Sequence, residues 1–116
     1  MTETSSEFVE HLLDLLLPLG EVKLGRFFGG HEIRLSADQI GMVMGGSFYF
    51  RVAKELRPEL ERAGGAPFSY VTRKGRVTVP RYVSAPGEWL ENSEILIDFA
   101  RRNLVCLNSA ASSRSR

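Results

Sequence analysis

Few side chains in this sequence could do chemistry, and they are scattered. His11, His31 and Cys106 are the only histidines and the only cysteine. Nucleophilic catalysis needs a nucleophile, a base and an orienting group within hydrogen-bond reach. Neither histidine stands beside a recognisable nucleophile motif. A metal site needs several converging ligands, and two distant histidines with one cysteine on an apolar stretch give no ligand spacing. The single thiol also excludes an internal disulfide and a multi-cysteine zinc site. Cys106 is expected to be a small buried apolar group. The expectation is therefore no catalytic residue, no metal and no cofactor.

Two other patterns invite a binding chemistry. Gly25-Arg26-Phe27-Phe28-Gly29-Gly30 is glycine-rich, but it lacks the Gly-Lys-Ser/Thr ending of a phosphate loop and is not a G-x-G-x-x-G opening a helix. The glycines read instead as turn residues between strands. Arg26, Phe28, Gly29 and Gly30 are then the best candidates for a conformationally demanding turn, with Arg26 either anchoring it or meeting a partner. The densest basic cluster is Arg73, Lys74 and Arg76 around Gly75, with Arg81 nearby and Tyr70 adjacent. Interleaved basic and aromatic residues on a sheet can bind nucleic acid through phosphate contacts and base stacking. Charges at a hairpin tip also simply keep a sheet edge soluble.

The elements that must position these residues follow from hydrophobic period. Phe8, Leu12, Leu15, Leu16 and Leu19 recur with helical spacing, which predicts a helix over residues 5–18. Thr4 followed by Glu7 fits a capping box, and Pro18 marks the end. Residues 22–28, 31–35, 40–44 and 47–52 alternate or run apolar between turn-forming residues, including Gly29-Gly30 and Gly45-Gly46, as in an antiparallel meander. Its inward face is expected to hold Ile33, Leu35, Met42, Phe48, Phe50 and Val52. A short helix is expected from about Pro58, followed by a hairpin of residues 68–72 and 76–79. A last helix starts at Asn92 or Ser93 and buries Ile95, Leu96, Phe99, Ala100, Leu104 and Leu107. Two amphipathic helices need an apolar partner, and a sheet with one apolar face supplies it. The expected fold is α+β: a two-layer domain with an antiparallel sheet of about five strands and the N- and C-terminal helices packed on one face. The sheet's other face is left open for a partner. Residues 1–108 form the domain and 109–116 a flexible basic tail.

Composition bounds the rest. The chain has 116 residues, 43% of them hydrophobic and 25% charged, the balance of one folded domain rather than a disordered chain. Fifteen Lys and Arg against fourteen Asp and Glu leave a net charge of +1, so no global field recruits nucleic acid or an anionic membrane. The first twenty residues carry four acids and no Lys or Arg, whereas residues 21–84 hold eleven basic and six acidic side chains. A mildly basic middle is thus flanked by acidic ends. No secretory start is visible, and the most apolar stretch, 12–19, is broken by Asp14 and Pro18 and falls far short of the roughly 20 residues that span a bilayer. The cytoplasm is the expected compartment.

Arg26-Phe27-Phe28-Gly29-Gly30, then Phe48-Tyr49-Phe50-Arg51-Val52, then Ala66-Pro67-Phe68-Ser69-Tyr70 and a closing helix together resemble the N-terminal domain of the TfoX/Sxy competence-regulator family. The likeness covers about residues 8–107 and rests on the order and spacing of short motifs. Phe27 stands where that family usually has methionine, Arg51 where it has lysine, and Phe99 where the last helix commonly has tryptophan. Full regulators resemble a tandem of this domain and a C-terminal helical one, so a stand-alone N-terminal domain is expected. The resemblance implies no catalytic residue, metal or cofactor. It implies regulation through protein contacts; competence regulators of this type work with the cyclic-AMP receptor protein at promoters. The leading expectation is a non-catalytic regulatory module with a protein partner, and a homodimer through a strand edge or the open sheet face as a further option. The alternatives are a direct nucleic-acid binder using Arg73, Lys74, Arg76 and Arg81, and a small-ligand protein or unrecognised enzyme on the aromatic sheet face.

Overall fold

The computed structural model describes residues 6–27, 29–36 and 38–114, with side chains from 7 to 108 within those ranges. Helix α1 (Ser6–Leu15) is followed by a 3₁₀ turn, Leu17–Leu19, that contains Pro18. The α-helix ends before the proline, whose ring has no N–H to continue the hydrogen-bond ladder. Thr4 lies outside the described residues. Strands β1 (Val22–Phe27), β2 (Gly30–Leu35), β3 (Asp38–Met44) and β4 (Ser47–Arg51) form the meander. Helix α2 (Arg57–Arg62) places Pro58 in its first turn. Then come β5 (Pro67–Thr72), β6 (Gly75–Ser84), a 3₁₀ turn over Gly87–Glu91, and α3 (Ser93–Arg114).

The sheet has six strands in the order β1-β2-β3-β4-β6-β5, every neighbouring pair antiparallel. That is slightly more than the five expected, because both arms of the last hairpin join the sheet. The chain leaves β4, turns through α2, lays β5 at the edge and returns as β6 beside β4. The α3 backbone runs on to Arg114, past the expected domain end at residue 108.

The core lies between the sheet and the helices. Leu12 of α1 and Leu16 just after it, Ile33, Val43, Phe48 and Phe50 of the sheet, Leu60 of α2, and Leu96 and Phe99 of α3 are all essentially inaccessible. An aromatic chain runs through it: Phe48 and Phe50 at 4.9 Å between ring centres, Phe50 and Phe99 at 5.1 Å, Phe99 and Trp89 at 5.2 Å. Arg101 donates to the Pro18 carbonyl at 3.0 Å and ties α3 to the end of the first helix.

Two inward assignments are corrected. Met42, expected in the core, is buried on the opposite face of the sheet, paired with Tyr49 and lining a surface concavity. The pairing of β2 with β3 passes from Ile33↔Gly41 to Arg34↔Gln39 and skips Ile40. This extra residue lets both Ile40 and Val43 reach the helix-side core, whereas simple alternation would have put Ile40 with Met42. On α3, Ile95 is 44% exposed, while Ile97 and Asn103 are buried. The buried stripe runs 96, 99, 100 and 103, and its last member is polar, so a hydrophobic pattern does not show it.

Candidate functional site

The helix-free face of the sheet gathers its apolar side chains by register. Tyr49 lies opposite Met42 across β3 and β4, and Phe68 lies opposite Val79 across β5 and β6. Side chains alternate along each strand, so these residues stand on the side away from the helices. Phe27, Met42, Met44, Phe68, Tyr70, Val79 and Tyr82 line a concavity of about 480 Å³. Its rings brace one another: Phe68 meets Tyr49 edge-on at 5.3 Å and 81° and lies 6.0 Å from Tyr70, and Phe27 lies tilted 6.1 Å from Tyr82. The Tyr82 hydroxyl donates to Gln39 Oε1 at 2.9 Å. Tyr70 keeps 46% of its surface exposed, and Val77, opposite it across β5 and β6, is exposed too. The lining holds no carboxylate, histidine or thiol. Such a surface can take apolar side chains; it has no group with which to move a proton at neutral pH.

The expected turn motif divides. The β1–β2 hairpin closes between Phe27 and Gly30; Phe28, within that turn, lies outside the described residues. Gly29 has φ +83°, the left-handed region where glycine is favoured. Gly30 is constrained differently: a Cβ there would overlap the Val43 carbonyl oxygen and come within 2.7 Å of Met44 Sδ. It is a close approach of two strands rather than a turn residue with positive φ. Arg26 is exposed near the end of β1, and its side chain makes no ion pair or hydrogen bond among the described residues.

The basic cluster also divides. Arg73 and Lys74 form the tip between Thr72 and Gly75, where Thr72 Oγ1 accepts from the Lys74 N–H at 3.1 Å. Arg76 donates to Ser69 Oγ at 2.8 Å. Arg81 stands five residues farther along β6, about 16 Å at extended-strand rise. There it joins Lys54 and Arg57 around a separate groove, also about 480 Å³. Sequence reading missed that gathering, because Lys54 and Arg57 reach Arg81 only through the return of β6 beside β4.

One buried polar residue holds this region. Asn103, 1% exposed, donates from Nδ2 to the Arg51 carbonyl at 2.9 Å and accepts the Ala53 N–H on Oδ1 at 2.7 Å. It fixes the segment from β4 into α2 on which Lys54 and Arg57 stand. Beside it, Arg102 makes a two-pronged bond with Glu59 (2.9 and 2.7 Å), reaches Asp98 at 3.2 Å and lies 5.5 Å from the centre of the Phe99 ring. The Arg102 hydrogen bonds hold the Glu59 carboxyl below its ordinary value, against the opposing effect of burial.

His11 is exposed on α1, His31 half-buried on β2 and Cys106 half-buried on α3. Among the described residues no three His, Cys, Asp or Glu side chains gather as a metal ion would require. No helix among them is long and apolar enough to cross a membrane. The model of the TfoX N-terminal domain family matches residues 14–106, which span the sheet and most of the helical layer. No curated protein matches the chain.

Proposed function

The chain belongs to the TfoX N-terminal domain family, and from that premise we propose that it is a non-catalytic regulatory module that docks a protein partner on the open face of its sheet. The concavity lined by Phe27, Phe68, Tyr70 and their neighbours carries this reading. An apolar depression with exposed aromatic rim residues is a surface that a partner's side chains can desolvate, and aromatic residues and methionine are enriched at such interfaces. Competence regulators of the type the motifs resemble act at transcription, and that is the level at which the docking is placed.

Two observations weigh against the alternatives. A strand of nucleic acid needs free ring faces on which to stack. Here Tyr82 is buried and the Phe68, Tyr49 and Phe27 rings are tilted into one another, while Arg76 is engaged by Ser69. A small-molecule site needs a few converging polar groups, and the lining supplies two tyrosine hydroxyls, one of them already bonded to Gln39.

The test is affinity capture from the native cell extract with wild type and Tyr70→Ser, each with and without nuclease. A protein retained by wild type after nuclease and depleted severalfold on the variant supports the reading. Retention abolished by nuclease, or equal on both baits, refutes it.

A further inference from the structure

Resting on the docking reading above, we infer that the partner presents an acidic amphipathic segment, its apolar side chains in the concavity and its carboxylates in the adjoining groove of Lys54, Arg57 and Arg81. The two depressions meet at Val79, the concavity on the helix-free side and the groove on the side of Val52 and Thr78, so a segment that reaches both crosses the stretch of β6 that β4 leaves unpaired. None of the three cations has an ion-pair partner among the described residues, whereas Arg102 and Arg34 on the same molecule are both paired with carboxylates. Lys54 and Arg81 are exposed and Arg57 half-buried. Three like charges around one groove repel one another, and a carboxylate placed among them relieves that repulsion.

The neighbouring concavity decides which anion this is. A phosphate backbone would satisfy the groove and leave the apolar lining wet, whereas a segment carrying Leu, Met or Phe beside Asp or Glu fills both. A second copy of this chain fits poorly. The acids of α1 share a helix whose apolar stripe, with Val9 and Leu12, is buried in its own core, so they arrive without anchors.

The experiment is selection from a displayed random-peptide library on wild type, followed by binding of the recovered peptides and of an oligo(dT) control to the variants. Peptides enriched in Asp and Glu beside a large apolar residue are expected. They should bind K54E/R57E/R81E about tenfold or more weakly, the summed effect of three surface ion pairs and their reversal. Lys54→Gln with Arg81→Gln, a milder pair that leaves the half-buried Arg57 in place, should weaken them roughly threefold. Tyr70→Ser should weaken them as well, since anchor and charge act together. Apolar peptides without acidic enrichment, binding wild type and both charge variants alike, overturn this inference and leave the docking reading standing. Recovery of no peptide together with tight oligo(dT) binding overturns both. A concentration-dependent dimer that the charge variants dissolve assigns the groove to a second copy and overturns the acidic-partner inference.

Discussion

At the scale of single residues, Gly29 and Gly30 stand side by side for different reasons, and the difference is measurable. Gly29 adopts a left-handed φ with open space around it, so Gly29→Ala adds only backbone strain of about 1 kcal/mol. Gly30 abuts the β3 backbone, so Gly30→Val overpacks the strand pair and is expected to destabilise by about 2 kcal/mol. Urea midpoints should rank Gly30→Ala below Gly29→Ala; the reverse order would restore turn strain as the reason for the second glycine. Asn103 is the residue that hydrophobic patterning passes over. Asn103→Leu strands the Ala53 N–H and the Arg51 carbonyl and is expected to destabilise by about 2–3 kcal/mol. A midpoint unchanged from wild type would mean that solvent or a relaxed backbone satisfies those two groups.

Between elements, the bond from α3 to α2 is electrostatic and sensitive to acid. Glu59 has its folded-state pKa lowered from 4.5, chiefly by hydrogen bonds from Arg102. Its contribution is therefore present above the unfolded value and is lost as pH falls through the lower folded one. Both side chains are 40% or more exposed, which limits that contribution to under about 1 kcal/mol. Arg102→Ala should lose less stability than wild type on going from about pH 6 to about pH 3, measured by urea titration at each pH. Parallel pH curves for the two proteins would show that the contact contributes nothing. The expected helix over 5–18 and the observed α1 with its 3₁₀ extension differ for a local reason legible in hindsight: Pro18 removes a donor, and the last turn tightens around it.

For the molecule as a whole, the asymmetry between the two faces of the sheet is the feature on which the proposed docking rests. One face is covered by α1, α2 and α3 over the central strands; the other keeps Tyr70 and, opposite it, Val77 in contact with water. Residues retained at that face for a partner should matter little to folding. Tyr70→Ser, the variant expected to lose the captured protein, is accordingly expected to cost no more than about 0.5 kcal/mol of stability, read from its urea unfolding curve. A large loss of stability would mark the concavity as part of the fold's own support and would remove the case for docking there.

Helical spacing in Phe8 to Leu19, the alternation of residues 22–52, the glycine pairs and the capped last helix carried the two-layer architecture in the chain itself, because period and turn chemistry are local properties. So were the short motifs by which the chain resembles its family. The faces were a different matter. Where Met42 points depends on one extra residue, Ile40, in the pairing of β3 with β2, and a pairing register is a relation between two strands. The grouping of Lys54 and Arg57 with Arg81, and the clamp of Asn103 on the backbone between them, likewise needed the return of β6 beside β4. Hydrophobic pattern reports which side chains leave water; only the packed chain determines which separated ones meet.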